Sequence, residues 1–300
     1  MTRRMLDATA ADFARMDGAA LKESIRAAEG RTLAAEFICT DAPPVDGITH
    51  GELAASMGAD IIVLDRYDTL QPQINGLPPD LLAFDAPLTA YKRLLGRPLG
   101  INMIVAAPDA PLGGRLANAD NLQRAAAHGA DIIFLYARPG QGGTPAMQRD
   151  AAVMAQRLLG ESILLVGVPS FSQPPPRDVD TVKLYEQQIE ALLAAGCDGI
   201  GLPMPGSKQG WQAEPTGQLV DSIHAGGGLA WTFVTGSVEG AQPEVMRSLA
   251  LLAKQLGVDA VRLDEAGLSG MPEPENIHAF SLALRGKRHT YRRMAASILR

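Results

Sequence analysis

Four times along the chain a stretch with helical spacing of apolar residues ends in Gly-x-Asp and runs straight into a short apolar segment. The four copies are Gly58-Ala59-Asp60-Ile61-Ile62, Gly129-Ala130-Asp131-Ile132-Ile133, Gly196-Cys197-Asp198-Gly199-Ile200 and Gly257-Val258-Asp259-Ala260-Val261. Their glycines are 71, 67 and 61 residues apart. A glycine at that point predicts a left-handed cap on a helix C-terminus, after which the chain enters a buried strand. Midway between the copies lie four more apolar runs, at residues 32–40, 98–106, 162–171 and 229–235. The intervening segments 117–128, 144–159, 179–195 and 242–256 carry helical spacing with polar or proline-marked starts.

Eight strands alternating with helices predict parallel βαβ units, and eight units with no leftover subdomain predict a closed (β/α)8 TIM barrel over residues 1–300. Residues 1–30 read as an N-terminal helical extension that caps the barrel bottom or packs beside the last helix. The run Pro174-Pro175-Pro176 is too short for a linker and reads as a stiffener of the loop after strand five.

Composition narrows the setting. The 300 residues are 46% hydrophobic but only 5% aromatic, as expected of helices packed closely on a parallel sheet. A net charge of −6 gives no global positive field, so nucleic acid and anionic membrane are not expected partners, and an anionic ligand has to be held locally. Cys39 and Cys197 are far apart, with no CxxC, no signal-type segment and no spanning apolar stretch. A reducing, cytoplasmic setting and a small-molecule substrate are the expectation, with a homo-oligomer as the expected assembly.

In a barrel of this kind catalytic groups sit at strand C-termini and in the loops that follow. That filter selects Glu36, Cys39 and Asp41 after strand one, Asp65, Tyr67 and Asp68 after strand two, and Asn102 on strand three. It adds Tyr136 and Arg138 after strand four, Ser207 and Lys208 after strand six, Thr235 and Ser237 after strand seven, and Asp264 and Glu265 after strand eight. The five histidines fall on predicted helices or their edges, so no zinc is expected. A metal, if bound, would be a hard ion such as magnesium on Asp65, Asp264 and Glu265.

Asp65 and Asp264 are the leading candidates for a general base, with Asp68 and Glu36 beside them. The alternative for Asp68 and Glu265 is a loop cap, or a pair with Arg66 or Arg138. Loops seven and eight are rich in glycine, and Thr235, Gly236, Ser237 and Gly267, with Arg138, are candidates for a phosphate or other anion, unless these are ordinary glycine turns. Lys208 is the lysine best placed for a Schiff base, yet its Gly/Ser/Gln loop equally suits a lysine that meets solvent or an anion. Cys39 reads either as a nucleophile without a histidine partner or as a small buried thiol. The basic run from Arg285 through Arg293 could grip an anion or a neighbouring subunit, or form the solvated face of the final helix.

The segment Pro274-Glu275-Asn276-Ile277 followed by Arg285-Gly286-Lys287-Arg288-His289-Thr290-Tyr291-Arg292-Arg293-Met294 resembles the end of a bacterial (β/α)8-barrel family of unknown function. The likeness extends to the opening Arg3-Arg4-Met5-Leu6-Asp7-Ala8, to Glu29-Gly30-Arg31, and to Glu52-Leu53-Ala54-Ala55 with Gly58-Ala59-Asp60. Members of that family are often labelled haloacid-dehalogenase-like or phosphoenolpyruvate phosphonomutase-like. The residues support neither label: a dehalogenase-type nucleophile motif separates two aspartates by one residue, whereas Asp65 and Asp68 are separated by two. The resemblance implies a barrel that acts on a phosphorylated small molecule. It also implies a carboxylate closing strand three and a lysine and histidine on strand five, where this chain has Gly100-Ile101-Asn102-Met103 and Val166-Gly167-Val168-Pro169-Ser170-Phe171.

The leading functional expectation is a lyase or isomerase that makes or breaks a C–C or C–O bond next to a carbonyl, using a carboxylate base and an anion site in loops seven and eight. The alternatives are an accessory barrel that binds an anionic metabolite without turnover, and a magnesium-dependent phosphatase.

Overall fold

In the computed structural model, which describes residues 3–82, 86–170 and 173–300, eight parallel strands pair in sequence order and close into a barrel. After α1 (Ala10–Phe13) and α2 (Gly18–Arg26) come β1 (Thr32–Ile38), α3 (His50–Ser56), β2 (Ile61–Asp65), α4 (Pro79–Leu82), α5 (Pro87–Leu95) and β3 (Leu99–Val105). The chain continues through α6 (Ala119–His128), β4 (Ile132–Ala137), α7 (Pro145–Leu159), β5 (Leu164–Val168), α8 (Val179–Ala194) and β6 (Gly199–Pro203). It ends with α9 (Ala213–Ala225), β7 (Leu229–Val234), α10 (Pro243–Leu256), β8 (Ala260–Leu263) and α11 (Pro274–Met294). All eight expected strands are present, although Phe171, at the end of the fifth expected run, lies outside the described residues. A closed parallel barrel is incompatible with the haloacid-dehalogenase-like label. Among the described residues no helix is long and apolar enough to cross a membrane.

The Gly-x-Asp repeat has a physical explanation in each part. Gly58, Gly129, Gly196 and Gly257 all take positive φ, between 74° and 106°, where a side chain is strained. The N–H of Asp60, Asp131, Asp198 and Asp259 donates to the carbonyl of Leu33, Leu99, Leu165 and Ala230, at 2.7–2.9 Å. Each carboxylate in turn accepts the N–H of that same residue, at 2.7–3.0 Å. The aspartate thus extends the ladder between an odd strand and the even strand that follows, at the N-terminal rim. Three also meet a cation, Arg285 and Arg293 for Asp60, Lys92 for Asp131 and Lys22 for Asp198, and Asp259 lies 2.9 Å from His224 Nε2.

Along each strand alternate side chains enter the barrel. Ile61, Val63, Ile132, Phe134, Leu164, Val166, Leu229, Trp231 and Phe233 form the lumen core, continuous with Met5, Leu6, Phe13, Leu21 and Ile25 of the N-terminal segment. That segment therefore plugs the bottom of the barrel. On β6 glycine is required by packing, since a Cβ on Gly201 would lie 2.2 Å from the Phe233 ring.

The C-terminal basic run divides between two fates. Lys287, Arg288 and Arg292 are exposed, as a solvated helix face requires, whereas Arg285 and Arg293 are buried. Arg293 Nε donates to Asp60 at 2.7 Å, and its other nitrogens hold the carbonyls of Met5 and Ala8. Arg285 pairs with the other Asp60 oxygen at 2.5 Å and with the carbonyl of Gly58. The long family-like motif is a lock between the last helix, the N-terminal segment and the first Gly-x-Asp.

Candidate active site

The alternation that fills the lumen with apolar groups changes character one step from the C-terminal rim. Ala34 gives way to Glu36 on β1, Val63 to Asp65 on β2, Gly100 to Asn102 on β3 and Phe134 to Tyr136 on β4. On β7 Phe233 gives way to Thr235, and on β8 Ala260 gives way to Arg262 and then Asp264. The register sets Arg262 beside Ala34 and Glu36 beside Val63, so that these side chains converge from neighbouring strands.

Arg262 organises the group. It is 1% exposed, with its guanidinium carbon 3.9 Å from the centre of the Phe233 ring. Its Nε donates to Asp264 Oδ1 at 2.8 Å and its Nη1 lies 2.6 Å from Glu36 Oε2. Its Nη2 donates to the Tyr136 hydroxyl. Asn102 ties in the third carboxylate, since its Nδ2 donates to Asp65 Oδ1 at 2.9 Å and to Glu36 Oε2 at 3.2 Å. Arg66 lies 3.7 Å from the outer oxygen of Asp65.

One buried guanidinium thus serves two buried carboxylates, with Asp65 and Glu265 adding negative charge beside them. The imbalance shows in the acidities. Burial holds the Glu36 carboxyl well above the usual range; Arg262 opposes the shift, and Asp264, Asp65 and Glu265 add to it. Burial pushes Asp264 up to about 6 against the stabilising charge and hydrogen bond of Arg262. Behind them Glu239 is fully buried, its Oε1 accepting the Ala266 N–H at 3.1 Å while Oε2 has no partner. Burial pushes its carboxyl to about 7, with Asp264 and Glu265 contributing.

Among the described residues, Glu36, Asp264 and Glu265 offer ligand oxygens that all lie within 4.8 Å of one another. The group differs from the expected metal trio in having Glu36 in the place assigned to Asp65, whose Oδ1 accepts from Asn102. An all-oxygen set with carboxylate oxygens beyond those bonded to Arg262 fits a hard divalent ion such as magnesium.

The other candidates fall elsewhere. Asp68 is committed to its loop: its Oδ1 accepts the N–H groups of Leu70, Gln71 and Gly114 at 2.8–3.2 Å. Arg138 is exposed on the turn after β4, and Lys208 sits half-buried on the turn after β6, where burial lowers the pKa of its ammonium. Thr235 lies close enough to Asp264 to lower the pKa of its carboxyl. Gly236 and Ser237 are exposed beside it. Gly267 is dictated by the chain itself, since a Cβ there would lie 1.7 Å from the Met271 carbonyl oxygen. Cys39 is a buried thiol whose pKa burial raises to about 12, which leaves no thiolate for nucleophilic attack.

Sequence reasoning overlooked Arg262 and Glu239. The available signal for Arg262 was a single charge inside an otherwise apolar strand, Val261-Arg262-Leu263; a charge there has to be paired within the barrel.

The family model described as Domain of unknown function (DUF7916) matches residues 6–300. No curated protein matches the chain by sequence. Among solved structures, a provisionally named phosphonomutase from Burkholderia cenocepacia J2315 is similar at TM-score 0.55 and 16% identity, covering 82% of this chain and 92% of that one. A 2,3-dimethylmalate lyase of the PEP mutase/isocitrate lyase superfamily is similar at TM-score 0.52 and 15% identity, covering 83% and 81%. The carboxyl transferase domain of Rhizobium etli pyruvate carboxylase, solved with pyruvate, is similar at TM-score 0.54 and 13% identity, covering 97% of this chain and 52% of that one. At these identities the likeness establishes the barrel fold.

Proposed function

We propose that this chain, which belongs to the family of the domain of unknown function DUF7916, is a lyase or isomerase that works on a C–C or C–O bond next to the carbonyl of a small anionic compound. The observation that carries this reading is the Glu36–Arg262–Asp264 arrangement at the C-terminal strand ends: two buried carboxyls share one buried guanidinium, with the charges of Asp65 and Glu265 beside them. Two of the similar folds, the phosphonomutase and the dimethylmalate lyase, carry names of the same reaction type.

Asp264, with its pKa near 6, is ionised at neutral pH yet basic enough to take a proton from a substrate hydroxyl or from carbon beside a carbonyl. Glu36 is held at its Oε2 by Arg262 and Asn102, which fixes its carboxyl beside the base. Asn102 and Arg262 keep the carboxylates in register. A hard divalent ion on Glu36, Asp264 and Glu265 would supply positive charge for an anionic substrate in a site whose own charge is net negative. The exposed Gly236 and Ser237 beside Thr235 are the place for a phosphate or a second carboxylate of that substrate.

The test is a thermal-shift screen of short keto and hydroxy acids and phosphorylated sugars, with and without magnesium, followed by a carbonyl-release assay on the ligands that stabilise. Asp264→Asn is expected to lower turnover by ~10²–10⁴-fold while the protein stays folded. Full activity in both Asp264→Asn and Glu36→Gln would sink the assignment.

A further inference from the structure

Resting on that reading, we infer that Tyr136 is the hydrogen-bond donor that holds the substrate's carbonyl oxygen as negative charge develops on it, an assignment made by the direction of its hydrogen bond to Arg262. The guanidinium of Arg262 has only N–H groups, so in the contact between Nη2 and the phenol the tyrosine oxygen must accept. Its own O–H proton is thereby turned away from Arg262, and no acceptor for it exists among the described residues. Tyr136 is partly exposed at the end of β4, on the lumen side. A donor in that position has its open direction towards the space above the barrel, where a substrate enters.

Three features make it more than a stray hydroxyl. Its ring is fixed by Phe233, at 6.5 Å between centroids, and by the small cluster of Ile104, Ala106 and Leu112 around strand three. The hydrogen bond from a charged guanidinium polarises the phenol and strengthens it as a donor. The same Arg262 fork sets the distance from this donor to the carboxylates, since Nε and Nη1 hold Asp264 and Glu36. A donor preset where charge develops stabilises the transition state more than the ground state.

The step balances without any further reactant. In bond cleavage Asp264 takes the proton of the substrate hydroxyl, the C–C bond breaks, and its electron pair enters the adjacent carbonyl to give an enolate. The Tyr136 O–H hydrogen-bonds the enolate oxygen without transferring its proton. The enolate carbon then takes that proton back from Asp264, which restores the carboxylate. Arg262, with its nitrogens engaged on protein groups, keeps the donor and the base in place and is a positioning residue.

The partial reaction can be tested without the full substrate, by following exchange of the α-protons of pyruvate, 2-oxobutanoate and 2-oxoglutarate in D2O by proton NMR, with and without magnesium. Wild-type protein is expected to catalyse exchange with at least one of these probes. In Tyr136→Phe the exchange kcat is expected to fall by ~10²–10³-fold with KM within about twofold, because the lost interaction forms with the enolate and not with the keto form. Incorporation of 3-fluorotyrosine at position 136, which keeps the hydroxyl and makes it a stronger donor, should restore exchange. Unchanged kcat in Tyr136→Phe, or a loss confined to KM, overturns the assignment of Tyr136 while leaving the carboxylate chemistry standing. Absence of exchange in the wild-type protein with every probe overturns the lyase reading and this assignment together.

Discussion

Both ends of the barrel carry four buried or half-buried carboxylates, and the two sets are put to opposite uses. At the N-terminal rim Asp60, Asp131, Asp198 and Asp259 each receive one strand N–H and have a basic side chain of their own. At the C-terminal rim Glu36, Asp65, Asp264 and Glu265 surround a single buried cation, Arg262, and two of them share it directly. Burial does not distinguish the two ends, for it raises the pKa of Asp131 as well. What differs is stoichiometry. A carboxylate with a full complement of partners is spent on structure, whereas a set short of positive charge keeps proton affinity and room for a ligand.

Equivalent substitutions at the two ends give the largest test of this contrast. Asp60→Asn leaves Arg285 and Arg293 buried without a counter-charge, and the expected loss of stability is about 3–5 kcal/mol, read by urea denaturation at neutral pH. The isosteric Asp264→Asn removes one of several crowded negative charges and keeps an oxygen for Arg262 Nε, so its stability is expected to lie within about 1 kcal/mol of wild type while activity is lost. Equal destabilisation by both would show that the two carboxylate sets do the same structural job.

The same contrast explains which parts could be read from sequence. The N-terminal rim is built from local signals, a left-handed glycine and an aspartate two residues on, repeated four times. The pattern therefore revealed the barrel and its eight strands. Strand ends then selected Glu36, Asp65 and Asp264 by position alone. Partnership could not be read this way. Asp68 and Asp65 look alike on paper, but one is consumed by three backbone N–H groups from a loop 46 residues away and from its own turn, and the other faces Asn102. Arg262 and the paired Arg285 and Arg293 were misread for the same reason. A buried arginine is defined by acceptors that arrive from distant strands and from the opposite terminus, and only the closed fold brings them together.

A smaller effect sharpens the comparison through pH. Glu239 has a folded-state pKa of about 7, above its value of 4.5 in an open chain, so the folded protein holds this proton more tightly than the unfolded one. Its contribution to stability is present below pH about 4.5 and is lost as pH rises through about 7. Glu239→Gln cannot ionise and keeps an oxygen for the Ala266 N–H. Between pH 5 and pH 8 the wild type is therefore expected to lose ~2–3 kcal/mol relative to the variant. Parallel pH profiles of the two proteins would show that Glu239 ionises as freely in the fold as in solution, and that the charge excess does not extend to it.

The smallest effect concerns the backbone. At the four repeat turns of the N-terminal rim the left-handed residue is glycine, so the turn is relaxed. On the C-terminal face the chain puts Arg66 (φ 61°) directly after Asp65 and Ser237 (φ 72°) two residues after Thr235, in the same left-handed region. A non-glycine residue there costs on the order of 1 kcal/mol, and such strain persists where the surrounding structure or a ligand uses the side chain. Ser237→Gly is accordingly expected to stabilise the protein by about 0.5 kcal/mol, the relieved strain being partly offset by the greater freedom of glycine in the unfolded chain. If Ser237 contacts the anionic end of the substrate, the same variant weakens binding of the ligands found in the thermal-shift screen. Stabilisation with undiminished binding would assign the strained serine to loop shape alone and move the anion site away from loop seven.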